Sequence, residues 1–478
     1  MGLVTPVDPV PVGQLGRVHF VAIGGAGMSG IARIMLSRGV EVSGSDSADS
    51  ALLGELAAAG ARVHVGHDAA NVGDADTLVV STAIRPDNPE LADARRRGLR
   101  VLHRAAALAS VMLGSRGIAV AGTHGKTTTT SMITTVLRHC GADPSYVIGG
   151  ILAETGLGAA AGGGQDFVVE ADESDGSFLM LEPFAAVVTS VEADHLDNYG
   201  TLAAIEEAFA AFAAKIPAGG LLVACADAPG ARALTGRVGP GVTALTYGVA
   251  ADASYRISGF EARGMSSRFT VTGAPGTALA ASGPVQLELR VPGRHNALNA
   301  TAALALTVQL GVDPAAAAAG LAAYGGARRR MELKGEADGV QVVDSYAHHP
   351  TELATDLTAA RDIVAGGRLI AVFQPHLFSR TRIFAREFGA ALGLADEVLV
   401  MDVYAAREDP EPGVTGALVA DAVPGGRAQF APDREGLPAL AAGLAKPGDI
   451  ILTMGAGDVT ALGPQILAAL AERAGDLG

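Results

Sequence analysis

The feature that most constrains this chain is an alternation that recurs over most of its 478 residues: a short apolar run, a turn rich in glycine or acidic residues, then a helical stretch. A strand followed by a covering helix packs as a parallel pair, so the pattern reads as α/β with doubly wound sheets. The first unit opens with RVHFVAI from Arg17, turns at GGAGMSG, runs into the helix IARIMLSRG stopped at Gly39, and returns as the strand EVSGSD. ARVHVG, TLVVSTAI and the charged helix ADARRRG carry it to Leu113, and LGSRG reads as a linker. A second unit starts at GIAVAG and holds the strands DFVVE and AAVVTSV, an Ala-rich helix after Thr201, an antiparallel part with SRFTVT and VQLELRV, and a long Ala-rich helix after Asn299. From Gly326 the strands VQVVD, RLIAVF, EVLVMD and DIILTM repeat the doubly wound pattern. The expected architecture is three α/β domains: Rossmann-like at 17–113, a P-loop ATPase domain with a mostly parallel sheet at 114–326, and Rossmann-like at 327–478. The Pro-rich residues 1–16 are expected to form a disordered tail.

Composition narrows the partners. A net charge of −15, with no basic run rising above the acidic background, argues against nucleic acid or an anionic membrane surface, so any bound phosphate must be met by local cations or a metal. Cys140 and Cys225 make no disulfide framework and have no ligand-like spacing. No signal-peptide core and no run of about eighteen apolar residues is present, so a soluble cytoplasmic protein is expected, as a monomer or weak homodimer.

Two glycine loops carry the chemistry. Gly25, Ala26, Gly27, Met28 and Ser29 lead to Gly30 between a strand and a helix, and Asp46 ends the next strand. That is the dinucleotide fingerprint in context: backbone amides and a helix N-terminus for a diphosphate, a carboxylate for a ribose or base. The loop alone leaves NAD and other nucleotide diphosphates open. The second loop, GTHGKTTTTSM, is a shortened P-loop, because Val120 stands where the longer motif begins. Gly122, Thr123, His124, Gly125 and Thr128 would cradle phosphates, Lys126 would reach the β/γ-phosphates, and the Thr127 hydroxyl would bind Mg²⁺. DFVVE ends in Glu170 and VEADHLD runs through Asp194, His195 and Asp197, so two further strands deliver metal ligands or their partners to the same sheet edge. Glu170 suits Mg²⁺ better than His195, and at least one of Asp172, Glu173 and Asp175 reads as part of a solvated loop. Two phosphate loops imply two phosphate-bearing ligands.

Past the strands of the third unit, DSYAHHPTE supplies Asp344, Tyr346 and His348, and FQPHLFSR supplies His376 and Arg380, a set able to hold a small zwitterion. GRHNALNA offers Asn296 and Asn299 at helical spacing, and ARRRMELKG offers Arg328, Arg329 and Arg330 at a domain junction.

Taken in order, VHFVAIGGAGMSGIA, GTHGKTTTTSM, VVEADESDGSF, VEADHLDNYG, GRHNALNA, DSYAHHPTE, FQPHLFSR and MGAGD resemble the bacterial Mur ligases over nearly the whole chain after residue 16. The resemblance implies an ATP-dependent ligase that joins L-alanine to the lactyl carboxylate of UDP-N-acetylmuramate through an acyl phosphate, in cytoplasmic peptidoglycan precursor synthesis. It implies a first domain for the UDP-sugar, a central ATPase domain and a C-terminal ligase domain, with ATP and Mg²⁺, two ions being expected. Lys126 then matches the phosphate-binding lysine, Thr127 and Glu170 metal ligands, and His195 the ligand of a second metal. Asn296, Arg329 and Asp344 match nucleotide positions, and Tyr346, His348, His376 and Arg380 the amino-acid side, with His348 a candidate base. Two departures stand out. Met331 replaces a Phe and is expected to stack less rigidly on adenine, and Ser345 replaces a second Asp and is expected to be neutral. Closure of the domains around the substrates is expected. Three other readings compete: a sister ligase adding a preformed peptide, an NAD-dependent oxidoreductase, and a nucleotide switch without ligase chemistry.

Overall fold

The computed structural model describes residues 3–476 except 365 and 407; the side chains of Ala26, Asp197 and residues 475–476 lie outside the described set. In the first domain β1 (Val18–Val21), β2 (Val42–Asp46), β3 (Arg62–Val65), β4 (Thr77–Val80) and β5 (Arg100–His103) form one sheet in the order β3-β2-β1-β4-β5, every pair parallel. The order reverses beside β1, the place where doubly wound sheets open a crevice for ligands. β1 is buried throughout, as a central strand covered on both faces must be. The helix after β1 begins at Ala26, inside the glycine turn and five residues before Ile31, because the turn itself supplies the first helical amides.

The second sheet comprises β6 (Arg116–Ala121), β7 (Ser145–Val147), β8 (Ala159–Ala160), β9 (Asp166–Glu170), β10 (Ala185–Val188), β11 (Leu221–Cys225), β12 (Thr243–Gly248), β13 (Tyr255–Arg263), β14 (Ser266–Gly273) and β15 (Val285–Leu289). Its order is β15-β14-β13-β12-β11-β10-β6-β9-β7-β8. β6 lies between β10 and β9, parallel to both. The expected linker LGSRG is partly strand, since Arg116 and Gly117 already pair with β9. The single long Ala-rich helix expected after Asn299 is two helices, Arg294–Gln309 and Pro314–Ala323, the second capped by Asp313, whose carboxylate accepts from the amides of Ala315 and Ala316.

The third sheet holds β16 (Glu332–Ala337), β17 (Val340–Ser345), β18 (Leu369–Phe373), β19 (Glu397–Val400), β20 (Ala428–Phe430) and β21 (Ile450–Met454) in the order β16-β17-β21-β18-β19-β20. Only β16 runs antiparallel, and two apolar clusters pack on opposite faces of the sheet, one around Phe373, Phe388 and Leu353, the other around Ile370, Leu399 and Ile466. By packing, the chain divides into two units, residues 1–258 with 270–287 and 298–324, and residues 259–269, 288–297 and 325–478. The first unit holds the first sheet and most of the second. There Gly30 meets β8 so closely that a β-carbon would lie 2.8 Å from Ala159 Cβ.

The segment 1–16, read as a disordered tail, carries contacts over its described residues. Val4 N donates to Asp175 O at 2.9 Å, Val10 N to Ser110 Oγ at 3.1 Å, and Leu15 is fully buried. Among the described residues no helix is long and apolar enough to cross a membrane, and both cysteines are free.

Candidate functional site

β6 ends at Ala121 and the chain turns at Gly122, which adopts φ +133° with Thr189 so near that a β-carbon would clash at 2.1 Å. No side chain fits there. The loop is held from β10: Thr123 N donates to Ser190 O at 3.0 Å, His124 N to Ser190 Oγ at 3.1 Å, Glu192 N to Thr123 Oγ1 at 2.9 Å, and Thr189 Oγ1 to His124 O. Gly125, at φ +80°, precedes the helix Lys126–His139, whose first amides point back into the loop. Thr127 and Thr128 are buried in its first turn.

Lys126 Nζ donates to Gly122 O at 2.7 Å, Thr123 O at 3.2 Å and Glu173 Oε1 at 2.9 Å. Burial alone would lower its pKa, but the carboxylates of Glu173, Asp172 and Glu170 outweigh that and raise it, so the lysine is a fixed cation. Burial raises the Glu173 carboxyl against the pull of Lys126. Far from being solvated, Glu173 and Asp175 are buried. The reason is a wrap of partners: Tyr199 Oη donates to Glu173 O at 2.6 Å, Asn198 to Ser174 O at 3.0 Å, and His103 Nε2 lies 3.6 Å from Asp175. Asp172, partly exposed, pairs with Arg104 at 2.6 Å; burial works against its ionisation, but Arg104 and Lys126 hold its carboxyl below the usual range.

Glu170 ends β9 as expected and accepts from Gly149 N at 2.8 Å. A β-carbon on Gly149 would sit 2.7 Å from both Glu170 oxygens, and one on Gly150 would sit 2.9 Å from Thr127 Cγ2, so a bare backbone closes over both candidate ligands. His195, at φ +53°, has Nε2 3.5 Å from Asp194 and 3.9 Å from Glu173. Among the described residues no group of three or more His, Cys, Asp or Glu is gathered as a metal cage. Mg²⁺ needs none, since it keeps waters and takes substrate phosphates, and a Thr hydroxyl with a carboxylate is the hard donor set it accepts. Glu173 Oε2, buried with no hydrogen-bond partner, adds an acidic oxygen beside Lys126. The residues present fit the ion. Two further groups stand close to the loops: Asn299, offered by its motif, and Arg104, which no motif marked. Asn299 places Oδ1 2.7 Å from where a Gly125 β-carbon would be and accepts from Thr129 Oγ1 at 3.2 Å. Arg104 puts Nη1 3.1 Å from the equivalent point on Gly27.

In the first glycine loop, Met28 and Ser29 are buried and Gly25 is the N-cap; the side chain of Ala26 lies outside the described residues. Asp46 accepts from Gly24 N at 2.9 Å, tying the strand end to the turn.

The second unit carries the remaining candidates. Asp344 is fully buried, accepting from Thr453 Oγ1 at 2.7 Å and Thr460 Oγ1 at 2.6 Å, with Arg329 Nε at 3.5 Å; this is a pin between β17, β21 and the turn after it. Arg329 sits at φ +61°, donates to the carbonyls of Gly455 (2.5 Å) and Gly457 (3.1 Å), and lies with Arg330 over the Tyr346 ring at 4.8 and 5.2 Å. Asn296 Nδ2 donates to Pro292 O at 2.7 Å. Met331 is buried in the core cluster around Phe373, which removes the expected stacking on a base: at φ +51° its side chain turns into the domain. Tyr346, His348, His376 and Tyr404 form a run of ring contacts with centroids 5.2, 6.0 and 5.9 Å apart. Arg380 follows in the next helix, close enough to lower the pKa of His348. Burial is the larger cause and, with Glu352 opposing, His348 ends at about 4. Its Nδ1 faces two acceptors, Tyr346 O at 3.0 Å and Glu352 Oε2 at 3.3 Å, so Nδ1 carries the proton and Nε2 offers a lone pair. A neutral ring with a free Nε2 lone pair is able to accept a hydrogen bond from an ammonium.

Comparison with known proteins agrees along the whole chain. The pattern of the Mur ligase family catalytic domain matches residues 17–116, that of the Mur ligase middle domain 120–307, and that of the Mur ligase glutamate ligase domain 329–457. A UDP-N-acetylmuramate–L-alanine ligase of Thermobifida fusca is 57% identical over 98% of this chain and 100% of its own. The crystal structure of a UDP-N-acetylmuramate-alanine ligase from Thermotoga maritima is similar with a TM-score of 0.78 at 29% identity, covering 97% of this chain and 100% of that one. A murein peptide ligase from Psychrobacter arcticus reaches 0.71 at 26%, covering 95% and 99%. With a three-domain α/β fold, two glycine loops at strand ends and these matches from residue 17 to 457, the chain belongs to the Mur ligase family.

Proposed function

We propose that this chain is an ATP-dependent ligase joining L-alanine to the lactyl carboxylate of UDP-N-acetylmuramate, releasing ADP and phosphate. The observation that carries it is the loop Gly122–Thr128 wrapped around a fully engaged Lys126, beside Glu170, Glu173 and His195. That is equipment for a transferring phosphoryl group, and an oxidoreductase has no use for it. The choice of alanine is supported by relatives more than half identical over nearly their full length that carry that name. We assign the domains as 17–113, 114–326 and 327–478.

In the reaction, the lactyl carboxylate attacks the γ-phosphorus of ATP, ADP leaves, and an acyl phosphate forms; the alanine amine then adds to the acyl carbon and phosphate departs. Two anions approach in the first step, and a pair of unit charges at 4 Å repel by about 4 kcal/mol at an effective dielectric of 20. Lys126 and the loop amides offset this by meeting charge where it develops. Thr127 and Glu170 would hold Mg²⁺ with the nucleotide, His195 a second ion, and the ion supplies neutralisation of phosphate charge. Gly25, Ala26, Gly27, Met28 and Ser29, with Asp46, are the assigned UDP-sugar residues, and Arg104 adds a cation beside that loop. Asn296, Arg329 and Asp344 are the assigned nucleotide residues of the later motifs, Asp344 by holding Arg329 through its buried carboxylate. Arg380 takes the alanine carboxylate, and His348 Nε2, with Tyr346 and His376, receives the ammonium.

The test is phosphate release from Mg·ATP with UDP-N-acetylmuramate, with and without L-alanine, followed by product mass. Release that needs both, with a product heavier by one alanine residue, is expected. Release with a preformed peptide in place of L-alanine would instead favour the peptide-adding reading, and binding of nucleotide without turnover a switch.

A further inference from the structure

Ser345 ends β17 and opens the loop that carries Tyr346 and His348. Its hydroxyl donates to Asp356 Oδ2 and accepts from Ala347 N at 3.0 Å, and its carbonyl accepts from Gly455 N at 3.1 Å. Asp356 lies one turn beyond Glu352 in the helix Pro350–Ile363, on the same face. Glu352 accepts from the amides of His348 at 3.0 Å and His349 at 3.3 Å. Two acidic side chains of one helix therefore fasten the two ends of a five-residue loop. A hydroxyl has one hydrogen, and Ser345 can accept from Ala347 only if that hydrogen points elsewhere. Asp356 is where it points.

We infer that Asp356, acting through Ser345, is a positioning residue for the amino-acid end of the site: it fixes the Tyr346–His348 loop and thereby sets affinity for the small amino acid without touching it. This rests on the reading above that the loop receives alanine. Asp356 is suited to the task because it is held among groups of both signs. Glu352 stands on its own helix, Arg330 acts from the preceding loop, and His295 Nε2 lies 3.9 Å away on another helix. Burial, with Glu352, lifts its carboxyl to about 6 against the Ser345 bond and Arg330. Ser345 is then anything but a neutral replacement: with a second Asp in its place, two carboxylates would meet.

That contact supplies the experiment. Asp356→Ala should raise KM for L-alanine about tenfold, the loss of one buried hydrogen bond, with KM for ATP and UDP-N-acetylmuramate within about twofold. Asp356→Asn keeps an acceptor and should stay close to wild type. Ser345→Asp alone should raise KM for L-alanine at least as far as Asp356→Ala. The exchange Ser345→Asp with Asp356→Ser should recover it, because a carboxylate at 345 still accepts from the amide two residues on and from the new hydroxyl. Loop position is also read without turnover, from the imidazole resonances of His348 in selectively labelled protein: Asp356→Ala shifts them and the exchange restores them. Unchanged resonances and KM in Asp356→Ala, equal change in all three KM values, or no recovery by the exchange would overturn the inference. A wild-type enzyme with no alanine-dependent phosphate release would instead overturn the function, and the resonances would still report on the loop.

Discussion

The side chain on which most depends is Lys126. Its ammonium is ringed by two carbonyls and Glu173, so Lys126→Ala removes a charge that is already aimed. Loss of one such preorganised donor costs about 10²–10³ in turnover, and phosphate-release kinetics should fall by that factor with the fold intact by circular dichroism. Glu173→Gln acts on stability as well. It leaves a buried ammonium with its carbonyls and Asp172 but without its nearest carboxylate, and the unfolding free energy without nucleotide should drop, by less than the roughly 3–5 kcal/mol of a wholly orphaned pair; denaturant titration measures it. The placing of Lys126, Glu170 and His195 at or just past strand ends of one sheet was legible because strand ends in a parallel sheet share an edge. Glu173 was not, since an acidic run reads as solvated until Tyr199, Asn198 and Lys126 are seen around it. The buried orientations of Asp344 and Met331 were equally hidden, because spacing tells which residues are near a strand end and not which way they turn.

Among elements, the alternation of strands and helices was readable because most strands are short apolar runs and many of the turns after them hold glycine or acidic residues. β16 was missed: ELKGEA is polar, as an antiparallel edge strand with one wet face is free to be. β7 and β8 are too short to carry a pattern. The helix Ala26–Ser37 and β8 are joined through Gly30, and this contact makes a prediction about two elements at once. Gly30→Val forces a branched side chain onto Ala159, costs about 1–3 kcal/mol by overpacking, and tilts the helix whose N-terminus forms the first glycine loop. The thermal midpoint should fall, and KM for UDP-N-acetylmuramate should rise while nucleotide affinity, measured by calorimetry, stays.

For the whole molecule, pH resolves the balance of buried groups in the second unit. Burial brings His295, like His348, to about 4, below the unfolded value near 6.5, so the unfolded chain binds an extra proton at each; the stability they lend is full above about pH 6.5 and is lost as pH falls toward 4. Asp356, at about 6, lies above its unfolded value near 3.9 and works oppositely, its contribution shrinking as pH rises from about 4 to 6. Two protons against one leave stability from this set rising by about 1.4 kcal/mol per pH unit near pH 5, and Asp356→Asn should roughly double that slope in denaturant titrations. The backbone at Val4 donates to Asp175, two residues from Glu173, and Leu3 lies 3.3 Å from where a Gly176 β-carbon would project. An affinity tag or a trimmed start at the N-terminus thus alters contacts of the segment that holds Glu173, the nearest carboxylate to Lys126.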